Sequence, residues 1–319
     1  MKKNLFNCVL IGGLLLCFVQ LRAQDEKYDA IYLSLVREYT LNPDGSMDYH
    51  FAKQQKLLSY RAFHNLYGET FIVYDPLSQK LKINEAFTLM ADGKKVITPE
   101  NAFNEVLPAS AANAPAYNNL REMVITHTGL ERNAIINLDY QLHTQQGNFP
   151  ALMGNEILAE PEPVKSLVLK IRIPAGQSLH FKMLNGDYQP EKTSEGDYQV
   201  YTWNLSNIPA ISSEEAQPGV NEKYPRLIFS TSDKREEVYS FLTNQTAFRA
   251  APVERMKNTV NEWLTGIKEK FDKALKLQEK IVNDMRLYPI ALRTTLYQCR
   301  TPEQIWNENG GTPIEKAVL

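Results

Sequence analysis

Cysteine is scarce in this chain of 319 residues, which holds Cys8, Cys17 and Cys299. That is too few for a disulfide framework, and no two lie at the spacing of a thiolate zinc site. A dominant charge sign is missing as well. Lys and Arg number 35 against 37 Asp and Glu, a formal net charge of −2. Nucleic-acid binders neutralise phosphates with a basic surface, so that class is excluded. There is no Walker-type phosphate loop, no G-x-S-x-G nucleophile elbow, and no G-x-G-x-x-G opening a helix after a strand. The histidines are His50, His64, His127, His143 and His180. No pair of them has metal-ligand spacing, and each reads as a structural residue. No cofactor and no metal is expected.

Long apolar runs are confined to the first residues. Lys2 and Lys3 precede the apolar stretch from Val9 to Val19, and Leu21-Arg22-Ala23 stands before Gln24. These are the parts of a secretory signal peptide cut after Ala23. The run is about half of the ~20 residues a membrane span needs. Leu16 is also not the small residue that precedes a lipidated cysteine. Cleavage would remove Lys2, Lys3, Arg22 and both early cysteines, taking the charge to −5 and leaving Cys299 as the single thiol. The expectation is a periplasmic or secreted protein with no stable membrane span after cleavage. Its stability must come from packed core, which a chain this long can supply.

What is abundant is alternation. Ile31, Leu33, Leu35, Tyr39 and Leu41 alternate with mostly polar neighbours, and Asn42-Pro43-Asp44-Gly45 follows as a turn. Ile136, Leu138, Tyr140 and Leu142 repeat the pattern, as do Leu167, Leu169, Ile171 and Ile173 before Pro174-Ala175-Gly176. Further turns fall at Asp92-Gly93, Asn185-Gly186 and Glu195-Gly196. Period two with one wet face is the pattern of antiparallel sheets. The fold class expected is mainly β, one β-sandwich or two in tandem, from Tyr28 to about Ser230. Tyr188, Tyr198, Tyr201 and Trp203 would be half-buried strand aromatics before they would be a stacking surface. Leu107 to Asn119, rich in Ala, Asn and Pro, reads as a long mobile loop.

After Ser230 the period becomes helical. Asp233 with Glu236 predicts a capped helix start, and Pro252 suits a first helical turn. Val253, Met256, Val260 and Trp263 form one apolar face before Gly266. A longer helix runs from Phe271 to Met285 and ends before Pro289, with a charged face turned to solvent. Thr312-Pro313 with Glu315 is a capping box with Pro at the first helical position. The helix it opens reaches only Leu319, too short to hold itself. The chain therefore reads as cut inside an element, and residues beyond Tyr288 would be frayed or self-associated.

The segment from Arg300 to Leu319 resembles the nucleophile region of transglutaminase-like proteins. A gap-free match puts Gly311 on the family Gly, Thr312 on an Asp, Glu315 on the second acid, and Lys316 and Ala317 on Lys-Ala. Pro313 falls where the resemblance implies the catalytic Cys. A thiolate there would be stabilised by a helix N-terminus, and proline carries no nucleophile. The preceding region resembles DUF3857, a domain that often precedes such cores in exported bacterial proteins. The carrying features are Asp44-Gly45-Ser46, Ala91-Asp92-Gly93-Lys94, the strand Ile135 to Leu142 after Thr128-Gly129, Ile173-Pro174-Ala175-Gly176, and Trp203 with Ile208-Pro209-Ala210 and Glu214.

The organisation expected is a signal peptide over 1–23, a DUF3857-like β-sandwich region over 24–232, and a helical, incomplete α+β transglutaminase-like domain over 233–319. The function expected is non-catalytic binding or scaffolding at the cell envelope, with peptide, protein or glycan as partner and no nucleic acid. The competing expectation is a piece of a transglutaminase-like cysteine peptidase or acyltransferase.

Overall fold

The computed structural model describes residues 27–149, 151–211 and 220–319. The leader 1–23, with Cys8 and Cys17, and Glu214 lie outside them. The strands of the β-rich region are β1 (Ala30–Leu41), β2 (Met47–Leu57), β3 (Glu69–Tyr74), β4 (Gln79–Leu89), β5 (Lys95–Ile97), β6 (Phe103–Val106), β7 (Arg121–Thr126), β8 (Ile135–Thr144), β9 (Met153–Ile157), β10 (Val164–Pro174), β11 (His180–Leu184), β12 (Glu191–Glu195), β13 (Tyr198–Ile208) and β14 (Arg226–Ser230). One eight-stranded sheet has the order β12-β13-β10-β1-β2-β8-β4-β5. Two three-stranded sheets, β11-β14-β9 and β3-β7-β6, accompany it.

Register explains how these sheets stack. Trp203, Leu169, Arg37, Phe51, Tyr140 and Ile83 are successive cross-strand partners, so they share one face of the large sheet. The next rows on that face are Leu205-Leu167-Leu35-Lys53-Leu138-Ala86 and Tyr201-Ile171-Tyr39-Tyr49-Leu142-Leu81. Each row is apolar at both ends, and the polar or aromatic residues Arg37, Tyr39, Tyr49, Phe51 and Lys53 fall at β1 and β2, with Leu35 the apolar exception. One end packs against β14, where Leu227 and Phe229 join Leu169 and Trp203 in the main core. The other packs against β3 and β7, where Ile72 and Ile125 join Leu138. Gly154 on β9 lets the Phe229 ring come close, since a Cβ there would lie 2.3 Å from it.

The result is a sandwich in which one shared sheet floors two apolar lobes. The expectation of purely antiparallel sheets needs correction: β1 and β10 pair in parallel, as do the two-residue strands Arg286–Leu287 and Gly310–Gly311. A bulge between Tyr32 and Ser34 also shifts the alternation, so Tyr32 joins the core with Leu35 in place of Ile31 and Leu33. Trp203 and Tyr201 are buried core residues, which removes them from any stacking surface.

The helices follow as α1 (Val220–Lys223), α2 (Arg235–Thr243), α3 (Thr246–Arg249), α4 (Glu254–Trp263), α5 (Lys270–Asp284), α6 (Pro302–Glu308) and α7 (Pro313–Val318). The cap expected at Asp233 does not form, since α2 has Lys234 as its N-cap residue. The Thr312 capping box does form, with Pro313 in the first turn. Two further expectations fail. Residues 109–111 and 115–117 form 3-10 turns, and Ala111, Ala114 and Tyr117 are buried instead of mobile. Residues beyond Tyr288 are packed as well: Tyr288 and Ile290 join Tyr117 and Leu120 in one apolar cluster, and Ile305 is fully buried.

Candidate functional site

Pro313 is exposed at the start of α7 and faces a groove of about 800 Å³ that Trp263, Trp306, Met256 and Ile281 also line. Behind it the turn is held rigidly. Glu315 is fully buried and accepts from Thr312 N at 2.9 Å, Arg300 Nε at 2.9 Å, Arg300 Nη2 at 2.9 Å and Tyr117 Oη at 2.7 Å. Arg300 also donates to Glu308 at 2.8 Å and to the Gly310 carbonyl at 2.9 Å. Burial works against the Glu315 charge, but the bonds from Arg300, Tyr117 and Thr312 outweigh it and lower its pKa. Lys316 Nζ donates to the carbonyls of Val282 and Met285 at 3.2 and 2.9 Å, at the end of α5. The matched residues Thr312, Glu315 and Lys316 thus hold the helix start in place. Cys299 lies on the preceding connection. Burial and the neighbouring Glu315 push its thiol up to about 11, away from thiolate chemistry.

A second site lies where the two lobes meet. The polar stripe of the rows runs beneath it. Arg37 donates to Glu156 at 3.1 Å and to the Ile157 carbonyl at 3.1 Å, and pairs with Glu160. Tyr39 donates to Glu156 at 2.6 Å. Burial opposes the Arg37 charge, but Glu160 and Glu156 outweigh it and raise its pKa. At one end of the stripe Lys53 donates to Gln55 at 3.2 Å and to Thr70 at 3.3 Å, and Thr70 meets His127 Nε2 at 2.9 Å. Burial pulls Lys53 down to about 8, with Glu160 opposing, and burial plus Lys53 pulls His127 down to about 3. At the other end the stripe opens into a cleft of about 390 Å³. Tyr49 and Tyr140 line its floor, Phe71 and Val73 of β3 one wall, and Met153 of β9 another.

The C-terminal region closes the cleft. Arg293, Leu296 and Tyr297 line it, with Arg293 3.7 Å from Glu156 and its side chain 73% exposed. The Tyr297 ring lies 4.4 Å from that of Phe149. Leu296 and Tyr297 both have left-handed backbones, φ 49° and 63°. Each costs about 1 kcal/mol or more, a strain that persists only where surroundings over-determine it. Here Tyr297 N bonds the Leu292 carbonyl at 2.9 Å and Gln245 holds the Tyr297 carbonyl at 2.8 Å. Sequence reading missed this cleft, although Arg37 and Lys53 carried a signal: each is a charge at an apolar position of a period-two pattern. His50 meets Asp139 and His143 meets Asp48, and no group of three or more His, Cys, Asp or Glu suited to a metal forms among the described residues.

Residues 43–212 match DUF3857, a domain of unknown function with a solved structure. The chain belongs to the DUF3857 family. A crystal structure of a candidate protease from Parabacteroides distasonis ATCC 8503 is similar to it, with a TM-score of 0.84 and 36% identity. The likeness covers 91% of this DUF3857 chain and 57% of that one, so this chain spans little more than half that protein's length. No curated protein matches it. No helix among the described residues is long and apolar enough to cross a membrane.

Proposed function

We propose that this DUF3857 protein is an exported, non-catalytic binding or scaffolding protein of the cell envelope. Its C-terminal segment is a degenerate transglutaminase-like domain that closes the cleft of the β region. The observation that carries this reading is Pro313 at the first turn of α7, where the resemblance requires a cysteine. The raised pKa of Cys299 supports it, since burial and the neighbouring Glu315 disfavour its thiolate. The sequence of the leader supports export. Peptide, protein and glycan are the ligand classes suited to a cleft with aromatic walls and one exposed arginine.

A second reading has one observation in its favour. The similar structure from Parabacteroides distasonis is designated a candidate protease and is longer than this chain. On that reading the segment is part of a transglutaminase-like cysteine peptidase or acyltransferase. The two are separated by incubating the chain with casein and with a primary amine donor. The binding reading expects no peptide release and no amine incorporation beyond that of Cys299→Ala. Turnover that is lost in Cys299→Ala favours the enzyme reading.

A further inference from the structure

Both side walls of the junction cleft are sheet edges. In their sheets β3 and β9 are each terminal, paired on one side only, with β7 and β14. Register tells which backbone groups point outward. His127 N bonds the Gly68 carbonyl at 2.9 Å, so Gly68 and His127 are a hydrogen-bonded pair of the β3–β7 ladder. Antiparallel pairs alternate, so Thr70 and Ile72 bond toward β7 while the N–H and C=O of Phe71 and Val73 point to the free edge. On β9, Thr231 N bonds the Leu152 carbonyl and Leu158 N bonds the Pro225 carbonyl. The same alternation turns Met153, Asn155 and Ile157 outward, and the Ile157 carbonyl duly accepts from Arg37.

The outward groups of Phe71 and Val73 have no hydrogen-bond partner among the described residues. The strand that carries them reads Glu-Thr-Phe-Ile-Val-Tyr, with no lysine, no proline and no bulge to guard its edge. Natural edges left in that state pair with another strand. The Phe71 and Val73 side chains are 56% and 36% exposed, and the cleft touches them together with the inward-facing Ile72. Only a cavity along the strand's edge reaches both faces of it.

We propose that the junction cleft takes an extended peptide segment of another protein, which adds to the free edge of β3. The peptide would pair with Phe71 and Val73, cross the Tyr49–Tyr140 floor and pass beneath Arg293 and Tyr297. Outward groups on β3 recur every second residue, about 6.7 Å apart, the repeat of another strand. Backbone pairing supplies affinity in this mode and alternate side chains supply specificity. Arg293 offers an exposed guanidinium to an acidic side chain or a C-terminal carboxylate of that segment. The inference rests on the reading of the chain as a binding protein and names the ligand class of its cleft.

Amide hydrogen exchange of the full chain tests it, with a randomised hexapeptide pool as the probe. A second pool is N-methylated at alternate residues, and chitotetraose serves as the glycan arm. The expected result is at least tenfold slower exchange at Phe71 and Val73 with the unmethylated pool, an unchanged Ile72, and no protection from the methylated pool. Val73→Pro removes an outward N–H without touching the β7 ladder, so it should keep the melting temperature and abolish protection at Phe71. Unchanged exchange with peptide, equal protection by the methylated pool, or protection by chitotetraose alone would each overturn the proposal. Catalysis is read in the separate casein and amine assays, so failure of the binding reading is distinguishable from failure of edge pairing.

Discussion

Tyr117 donates its phenol hydrogen to Glu315 at 2.7 Å, across 198 residues of sequence. The first lies in a connection of the β region and the second in the last helix. Arg300 lies over the Tyr117 ring at 5.1 Å and completes the clasp. The helix start that resembles a nucleophile turn is thereby anchored to the sandwich.

Glu315→Gln should loosen this clasp. It leaves the Arg300 guanidinium, whose side chain is 12% exposed, with Glu308 as its remaining acid. Breaking a buried pair costs about 3–5 kcal/mol, and Glu308 keeps the expected loss near the lower end. Tyr117→Phe removes one bond to a charged acceptor and should cost about 2 kcal/mol. Urea unfolding measures both, and hydrogen exchange should place the loss in residues 300–319.

His127 should make the protein acid-sensitive. Its imidazole titrates near 6.5 when unfolded and is lowered to about 3 when folded, by burial and by Lys53. Above 6.5 both states are neutral. Between 6.5 and 3 the unfolded chain binds a proton the folded chain does not, so stability falls as pH drops through that window. His127→Gln can still bond Thr70 and does not titrate. The stability lost between pH 7 and pH 4 should then shrink by on the order of 3 kcal/mol, read from urea midpoints at the two pH values.

Gly154→Ala should destabilise the main lobe. The added Cβ would meet the Phe229 ring at 2.3 Å, and that ring is 2% exposed in a packed core. Overpacking of this kind costs about 1–3 kcal/mol and should lower the melting temperature. An unchanged melting temperature would show that the ring shifts freely.

Much of the sandwich was legible in the sequence because alternation and turn residues act locally. Leu167 to Ile173 predicted β10, and Asn42 to Gly45 predicted the β1–β2 turn, where Gly45 has φ 86°. The capping box at Thr312 and Glu315 was legible for the same reason. The shared floor was not, since pairing of β1 with β10 joins segments far apart in sequence. The bulge after Tyr32 reversed the reading of Ile31 and Leu33, because one extra residue flips every side chain before it. The stretch Leu107 to Asn119 looked mobile from its small residues, and those residues are what allow Ala111 and Ala114 to pack beneath Tyr288. The cleft escaped notice because its walls, β3 and β9, and its closing residues, Arg293 and Tyr297, meet only in the folded chain.

The most direct test of the proposed non-catalytic role is the pH dependence of Cys299 alkylation by iodoacetamide in the folded chain. Burial and Glu315 push this thiol up to about 11, so the rate should keep rising through pH 9 and stay below that of the unfolded chain at pH 8. A plateau reached below pH 8 would reveal a stabilised thiolate. That result would contradict the non-catalytic account and make Cys299 the candidate nucleophile.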